Sequence, residues 1–254
     1  MSADVPQVPQ GSGKHPIPLI AVSASDLAAS TAFYAELLGC SAMPLGADLA
    51  VLVPSSGPGV ALRAKNPEGF PGVVPFIAVP KVETALHQLV AGGATVEREP
   101  WQIPVVGTLA RFRDPSGTLW GLTGLPTASL APVPMPFGSN PKPPAGTVCS
   151  LEMYAADGAA AARFFGEHFG WGAAPTMPHF MAFDSGAGIG GVFQSHTPAL
   201  PAVAYVYVSD VAAALAQIES SGGQRLGDPM AMPGMATFGY FKDPSGTTMG
   251  LIGP

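Results

Sequence analysis

Short apolar runs rich in Val, Ile and Leu recur along the chain and have the length and composition of β-strands. Between them lie longer segments with helical spacing; the first follows Asp26, a favoured helix cap, and stops at Gly39, which suits a left-handed helix ending. The pattern predicts helices at 26–38, 82–91, 159–169 and 211–220. It predicts strands at 17–23, 49–53, 60–64, 73–79, 95–99, 108–113 and 118–123 in the first half, and at 150–155, 179–183, 189–193, 203–208, 224–226, 236–242 and 247–252 in the second.

An internal repeat organises these elements. The segment 114–122, which begins Asp-Pro-Ser-Gly-Thr, recurs at 243–251 with an offset of 243 − 114 = 129. The beginnings of the halves also match, because a capping Asp, an aromatic pair and a closing Gly follow in the same order (Asp26, Phe33-Tyr34 and Gly39; Asp157, Phe164-Phe165 and Gly170). Each half divides again into two similar units. The sequence therefore predicts an α+β fold of four βαβββ modules in two tandem repeats.

Proline accumulates between the halves, in a run that we interpret as an extended, semi-rigid linker over residues 125–146. This places one domain at 15–124 and the other at 147–254. Residues 1–14 contain no apolar run, so we expect a disordered tail rather than a signal peptide.

Composition excludes several classes of protein. Apolar residues make up 47% of the 254-residue chain and charged residues 11%, which is too apolar for a disordered chain. A net charge of −6 without a basic cluster argues against nucleic acid and against anionic membrane surfaces as partners. No apolar stretch approaches the roughly 20 residues of a membrane span. The two cysteines do not suggest a disulfide framework, and we expect a cytoplasmic protein.

The βαβββ units, the paired Asp-Pro-Ser-Gly turns and the Phe-(Tyr/Phe) helices resemble the vicinal-oxygen-chelate superfamily of glyoxalases, bleomycin-resistance proteins and extradiol dioxygenases. The Phe169-Gly170-Trp171 segment is similar to its two-repeat, glyoxalase-like branch. The resemblance implies that paired modules curl into half-open mixed sheets around clefts, so this chain would form up to two clefts. It also implies that a fused chain already provides the pseudo-dimer of shorter relatives; a monomer and a homodimer both remain open.

Metal-dependent members of that superfamily bind a divalent ion through His and Glu side chains on the cleft strands. The matching positions here hold Leu, Val, Gly and Ser, which are poor or impossible ligands (Leu19, Val74 and Gly121; Ser150, Val203 and Gly250). We therefore predict no cofactor and no conventional metal ligand, with a divalent metal at a non-standard site as the alternative.

Other residues are candidates for the chemistry of the second cleft. Strand alternation places Ser150, Glu152 and Tyr154 on one face, where a partly desolvated Glu152 would suit proton transfer; an ion pair of purely structural role is the alternative. We predict ligand-binding roles for a further set of residues, although aromatic and methionine side chains also serve as ordinary core (Tyr154, His179, Tyr205, Tyr207, Trp120 and Met249).

Three functions remain open on this basis. The first is a metal-free protein that binds a small apolar or aromatic molecule in clefts between the halves. The second is a lyase, isomerase or oxygenase that uses Glu152 as acid or base, or a metal held by Glu152 and His179. The third is a degenerate scaffold that acts through protein contacts.

Overall fold

The computed structural model describes residues 8–64, 72–104, 106–127, 130–137 and 141–254. The first half contains β1 (Leu19–Ala24), α1 (Leu27–Leu38), β2 (Ala42–Pro44), β3 (Leu49–Leu52), β4 (Gly59–Ala64), β5 (Val73–Ala78), α2 (Val82–Ala91), β6 (Thr95–Ile103), β7 (Gly107–Arg113) and β8 (Leu119–Thr123). The second contains β9 (Val148–Tyr154), α3 (Gly158–Phe169), β10 (Gly172–Met177), β11 (Phe180–Asp184), β12 (Gly191–Gln194), β13 (Ala202–Tyr207), α4 (Val211–Ser220), β14 (Gln224–Arg225), β15 (Met230–Met232), β16 (Ala236–Lys242) and β17 (Thr248–Gly253). This order is βαβββ four times, with the second strand of the last module split into β14 and β15.

Each half forms one mixed sheet. The strand order is β2-β3-β4-β1-β5-β8-β7-β6 in the first half and β10-β11-β12-β9-β13-β17-β16-β14 in the second, where β15 also pairs with β16. Two modules thus lie side by side and meet at an antiparallel central pair, β1 with β5 and β9 with β13. The predicted α+β class and tandem architecture are confirmed.

The helices cover one face of each sheet and share a single hydrophobic core. In β9, alternation sends Cys149, Leu151 and Met153 into this core, all fully buried, while Ser150 and Glu152 point to the other face. The predicted caps form as expected: Asp26 accepts from the Ala29 amide, and Gly39 ends α1 in the left-handed conformation with φ 62°. None of the missed strands has an apolar run: β2 and β15 are largely exposed segments of three residues, and β10 is a half-buried edge strand of six.

Contacts between the helices and the turns of opposite halves join the two domains. Trp120 of β8 packs on Phe165 of α3 with ring centroids 4.6 Å apart, and its indole donates to Asp114. In the matching place, Tyr34 of α1 donates to Asp243 at 2.9 Å. The aromatic pair and the Asp-Pro-Ser-Gly turn of the repeat are therefore the domain interface.

The segments outside the two sheets lie along the second domain. Residues 1–7 of the predicted disordered tail are outside the described residues. The amides of Ser12 and Gly13 donate to the carbonyls of Gly170 and Ser185, so this part of the tail has fixed partners. Within the predicted linker, Val133 and Ala131 exchange backbone hydrogen bonds with Gly188. Among the described residues, no helix has the length and apolarity needed to cross a membrane.

Candidate functional site

The first half carries an apolar cleft on the face of its sheet that the helices leave uncovered. The cavity has a volume of about 240 Å³. Its walls come from every strand of that sheet except β8 and from the flanking loops, and most of the lining side chains are apolar (Leu19, Ala21, Met43, Leu49, Val51, Ala61, Phe76, Ile103 and Leu109 among them). Met43 lies on β2 and Trp101 on β6, which are opposite edges of the sheet, yet both line this one cavity. The sheet therefore curls around a half-open cleft.

Few polar groups face this cleft. The indole nitrogen of Trp101 is buried and has no hydrogen-bond partner within the described part of the chain. The Arg98 guanidinium lies over the Trp101 ring at 4.1 Å from its centroid. Arg63 also lines the cavity, and Arg111, which is buried, lies 5.9 Å from the same ring. The first cleft thus combines apolar walls with one charged lining side chain, the donor-bearing Arg63, and with two further arginines beside Trp101.

The same face of the second sheet, which we call the second cleft, carries a connected polar cluster. Glu152 of β9 pairs in register with Val203 of β13, which places Glu152 and Tyr205 on one face. The Tyr205 hydroxyl donates to Glu152 Oε2 at 2.7 Å and lies 2.7 Å from the Tyr240 hydroxyl of β16. Since a phenol has one proton and Tyr205 gives it to Glu152, Tyr240 donates to Tyr205. We call Glu152, Tyr205 and Tyr240 the Glu–Tyr–Tyr chain.

A glycine between the two tyrosine strands lets the phenols meet. Gly250 of β17 pairs with Tyr205 on one side and Tyr240 on the other. A Cβ atom at Gly250 would lie only 2.2 Å from the Tyr205 ring, so the ring covers the glycine. The first half repeats the row with other residues, since Gly121 pairs with Phe76 and Arg111 and a Cβ at Gly121 would also lie 2.2 Å from the Phe76 ring.

Burial keeps the two phenols protonated at neutral pH. Desolvation raises the pKa of Tyr205 well above 10, and the nearby Glu152 and Tyr240 raise it further. Desolvation also raises the pKa of Tyr240, against a lowering by its hydrogen bond to Tyr205. The Glu–Tyr–Tyr chain therefore contains two neutral phenols, of which Tyr205 donates to Glu152 and Tyr240 to Tyr205.

The structure brings together only some of the predicted site residues. Tyr154 shares the face of Glu152 and is half-buried, and Thr118 of the first domain donates to its backbone carbonyl at 2.6 Å. Tyr207 is buried, and its backbone bonds to Thr147 and Gly146 at the end of β13. Neither side chain joins the Glu–Tyr–Tyr chain.

His179 lies apart from Glu152. The prediction that His179 begins a strand is wrong. It occupies the exposed turn between β10 and β11 with a positive φ of 69°. Its ring contacts are with Ser195, 3.4 Å away, and with His196, whose centroid is 6.5 Å away. A metal site shared by Glu152 and His179 has no geometric basis in this arrangement.

Trp120 and Met249 do not line a cleft. Both are fully buried on the helix-covered face, where Trp120 packs against the aromatic side chains of α3 and β12. Alternation gives the reason: in β8 and β17 the residues that face the clefts are Gly121 and Gly250, and their neighbours Trp120 and Met249 point into the core. The apolar cavity also lies on the first sheet alone, not between the halves as expected, because the halves meet through their helices.

Sequence reasoning missed Tyr240 and Trp101 as cleft residues. The predicted strand 236–242 puts Tyr240 on one face with Phe238, but choosing the face requires the pairing of β16 with β17. Trp101 lies beyond the predicted strand 95–99, because β6 continues to Ile103 through two register shifts. The repeat offset of 129 was the available signal, since it matches Tyr240 to Arg111.

The residues at the expected metal-ligand positions do not fit a divalent ion. In each half, the ring of Phe76 or Tyr205 covers the glycine that stands where a ligand carboxylate would be. Leu19, Val74 and Val203 offer no ligand atom. Among the described residues, no three His, Cys, Asp or Glu side chains form a group able to hold a metal.

Comparisons with known proteins agree with this fold. The family model "Glyoxalase-like domain" matches residues 19–123, and the model "Glyoxalase/Bleomycin resistance protein/Dioxygenase superfamily" matches residues 148–251. The chain is 24% identical over 246 residues to CFP32 of Mycobacterium tuberculosis and of Mycobacterium bovis, a candidate glyoxylase by name, and the match covers 91% of each chain.

Two solved structures share the fold. The Mn(II)-bound glyoxalase of Novosphingobium aromaticivorans has 16% identity and a TM-score of 0.60, with 94% of this chain and 81% of that chain covered. The 2,3-dioxygenase LapB of Pseudomonas sp. KL28 has 15% identity and a TM-score of 0.61, with 96% and 93% covered. The chain belongs to the glyoxalase, bleomycin-resistance and dioxygenase superfamily, in its form with two tandem glyoxalase-like repeats.

Proposed function

We propose that this protein binds a small apolar, aromatic molecule in its first cleft and does not transform it. The observation that carries this proposal is the apolar cavity of about 240 Å³ between the two curled edges of the first sheet. An apolar cavity of roughly 150 Å³ is enough to bind benzene. The first cleft therefore has room for a substituted or fused aromatic ring.

The walls of the cavity favour an aromatic ligand over a flexible polar one. Ala21 and Ala61 leave space at the centre of the sheet, and Leu19, Val51 and Phe76 surround it. Burying an apolar ligand there gains about 25 cal/mol for each Å² removed from water. Trp101 supplies a flat apolar surface and Met43 an adaptable one.

The buried indole N–H of Trp101 should make the site prefer aromatic ligands that carry a hydrogen-bond acceptor. This donor has no partner in the described part of the chain and is closed off from the empty cavity, so we propose that the Trp101 ring turns when a ligand binds and donates to a ligand that carries an acceptor. A ring bearing a carbonyl or ether oxygen should bind more tightly than the plain hydrocarbon. Trp101→Phe should remove that difference.

The test is calorimetric titration with naphthalene and with 2-acetylnaphthalene. Ala61→Phe fills the centre of the first cleft and should weaken both probes at least tenfold, because its ring competes for the same space. Val192→Phe is the matched control: Val192 pairs with Glu152 as Ala61 pairs with Ala21, so it changes only the second cleft.

If the parent protein and Ala61→Phe bind the two probes equally well, the first cleft is not the binding site. Consumption of a bound probe or of an α-ketoaldehyde or catechol, abolished by Glu152→Gln, would instead favour the lyase, isomerase or oxygenase alternative.

A further inference from the structure

The second cleft offers a ligand different chemistry from the first, and this difference defines a separate site. Glu152 Oε2 is occupied by Tyr205, but Oε1 has no hydrogen-bond partner among the described residues. Tyr240 uses its proton on Tyr205 and keeps its oxygen lone pairs. The free positions of the Glu–Tyr–Tyr chain are thus acceptors, and a ligand must bring the donors.

The charge of the cluster favours a cation among such donors. Glu152 forms no ion pair with any of the described residues and is half-buried, so its negative charge is weakly compensated. Gln194 occupies the position that Arg63 has in the first cleft. It does not donate to Glu152, because its amide is held by Thr197, Leu200 and His196. Lys242 lies on the same face of β16, exposed at its far end.

Aromatic rings surround the same place. The Tyr205 ring makes edge contacts with Tyr240, at 5.9 Å, and with Phe238, at 6.2 Å. Phe137 of the linker packs on Phe238 at 6.1 Å and extends the aromatic surface. The faces of aromatic rings attract cations, and Tyr and Phe both contribute to such sites.

We propose that the Glu–Tyr–Tyr chain binds the ammonium group of an organic amine whose apolar or aromatic body lies against Phe238. The ammonium donates to Glu152 Oε1 and to the Tyr240 oxygen. Tyr205 acts as a positioning residue: it fixes both acceptors without touching the amine. This site goes beyond the binding of a neutral aromatic compound in the first cleft, and either can fail without the other.

The experiment compares three probes with one phenyl body, namely phenethylamine, 2-phenylethanol and phenylacetate, by calorimetry at pH 7 and low salt. Phenethylamine should bind at least tenfold more tightly than the other two, and added salt should weaken it. Glu152→Gln, which keeps the shape of the side chain, should weaken phenethylamine at least tenfold. Val192→Phe should block it, whereas Ala61→Phe in the first cleft should not change it.

Tyr205→Phe separates positioning from simple packing. It should weaken phenethylamine severalfold while thermal unfolding and naphthalene binding stay near those of the parent protein. The proposal is overturned if phenethylamine shows no binding at millimolar concentration, or if Glu152→Gln leaves its affinity unchanged. It is equally overturned if 2-phenylethanol binds as tightly as the amine, because the site would then select a hydroxyl group and not a cation.

Discussion

The two clefts share one backbone design and differ in their side chains, most clearly along one row of three paired residues. In the first sheet the row runs Phe76, Gly121, Arg111; in the second it runs Tyr205, Gly250, Tyr240. The glycine and the ring that covers it are kept in both. What changes is the polarity at the two ends, together with Ala21 against Glu152 on the neighbouring strand.

This comparison separates the residues that maintain the fold from the residues that determine which ligand binds. The turn aspartates, the capping aspartates and the aromatic residues of the interface recur in both halves because they hold the modules together. The cleft residues do not hold the modules together, so they can differ between the halves. The first cleft is apolar and bears hydrogen-bond donors, whereas the second presents hydrogen-bond acceptors. Duplication thus allows two chemistries on one scaffold.

Removing an aromatic residue of the interface should have the largest effect. Trp120→Ala should lower the free energy of unfolding by about 3–5 kcal/mol, because it opens a cavity in the core and removes the donor to Asp114. Trp101→Ala, at the half-buried edge of the first cleft, should cost less than half as much. Urea unfolding followed by circular dichroism measures both. Equal losses would show that the clefts, too, are part of the stabilising core.

The buried turn aspartate should produce the next largest effect. Desolvation raises the pKa of Asp114 from 3.8 to about 6, although hydrogen bonds from Thr118, Trp120 and Ser116 oppose it. The folded chain therefore holds this proton more tightly than the unfolded chain. Its contribution is fully present below about pH 4 and is lost as the pH rises through about 6.

Asp114→Asn removes that dependence. The stability of the variant relative to the parent should rise by up to about 3 kcal/mol between pH 4 and pH 7, which corresponds to a shift of about two pKa units. Asp243→Asn should change in the same direction, because burial also raises the pKa of Asp243. A stability difference that stays constant with pH in both variants would contradict the argument.

A side chain added at Gly250, between Tyr205 and Tyr240, should have an intermediate effect on the free energy of unfolding. Gly250→Ala places a methyl group 2.2 Å from the Tyr205 ring, so the ring must move and its bonds to Glu152 and Tyr240 must lengthen. We expect a loss of about 1–3 kcal/mol in unfolding free energy and weaker binding of phenethylamine. Gly124→Ala is the control, because its nearest neighbour would be 3.9 Å away. Equal stability of the two variants would mean that the row is not tightly packed.

The sequence predicted the fold more completely than the clefts. The helices 82–91 and 211–220 match α2 and α4 at both ends, because their apolar spacing is regular and small residues, Gly92 and Ser221, follow their last turns. The strand at 236–242 also matches β16. The caps Asp26 and Asp157 could be identified from local chemistry alone.

The cleft residues were harder to predict, because a residue lines a cleft only if its side chain points to the face of the sheet that the helices leave uncovered. Alternation placed Glu152 on the cleft face but left the face of Tyr205 open, and the register of β9 with β13 puts both on one face. Trp120 and Met249 were predicted to bind a ligand but point into the core, since a one-residue difference in alternation moves a side chain from cleft to core. The contact of Tyr205 with Tyr240 depends on strands that are far apart in sequence and separated by Gly250.

The smallest effect is expected in the titration of the tyrosines, and it tests the Glu–Tyr–Tyr chain directly. Desolvation is the main cause that raises the pKa of Tyr205 and of Tyr240, and the charge of Glu152 raises both further. Glu152→Gln removes the charge and replaces the carboxylate that accepts from Tyr205 with an amide, so the pKa of both tyrosines should fall. The absorbance of phenolate near 295 nm, followed through alkaline pH, measures this change. Asp184→Asn, which removes a carboxylate elsewhere on the second sheet, should leave the titration as it is. If the two variants titrate alike, Glu152 does not govern the phenols, and the acceptor character of the second cleft must be sought in other groups.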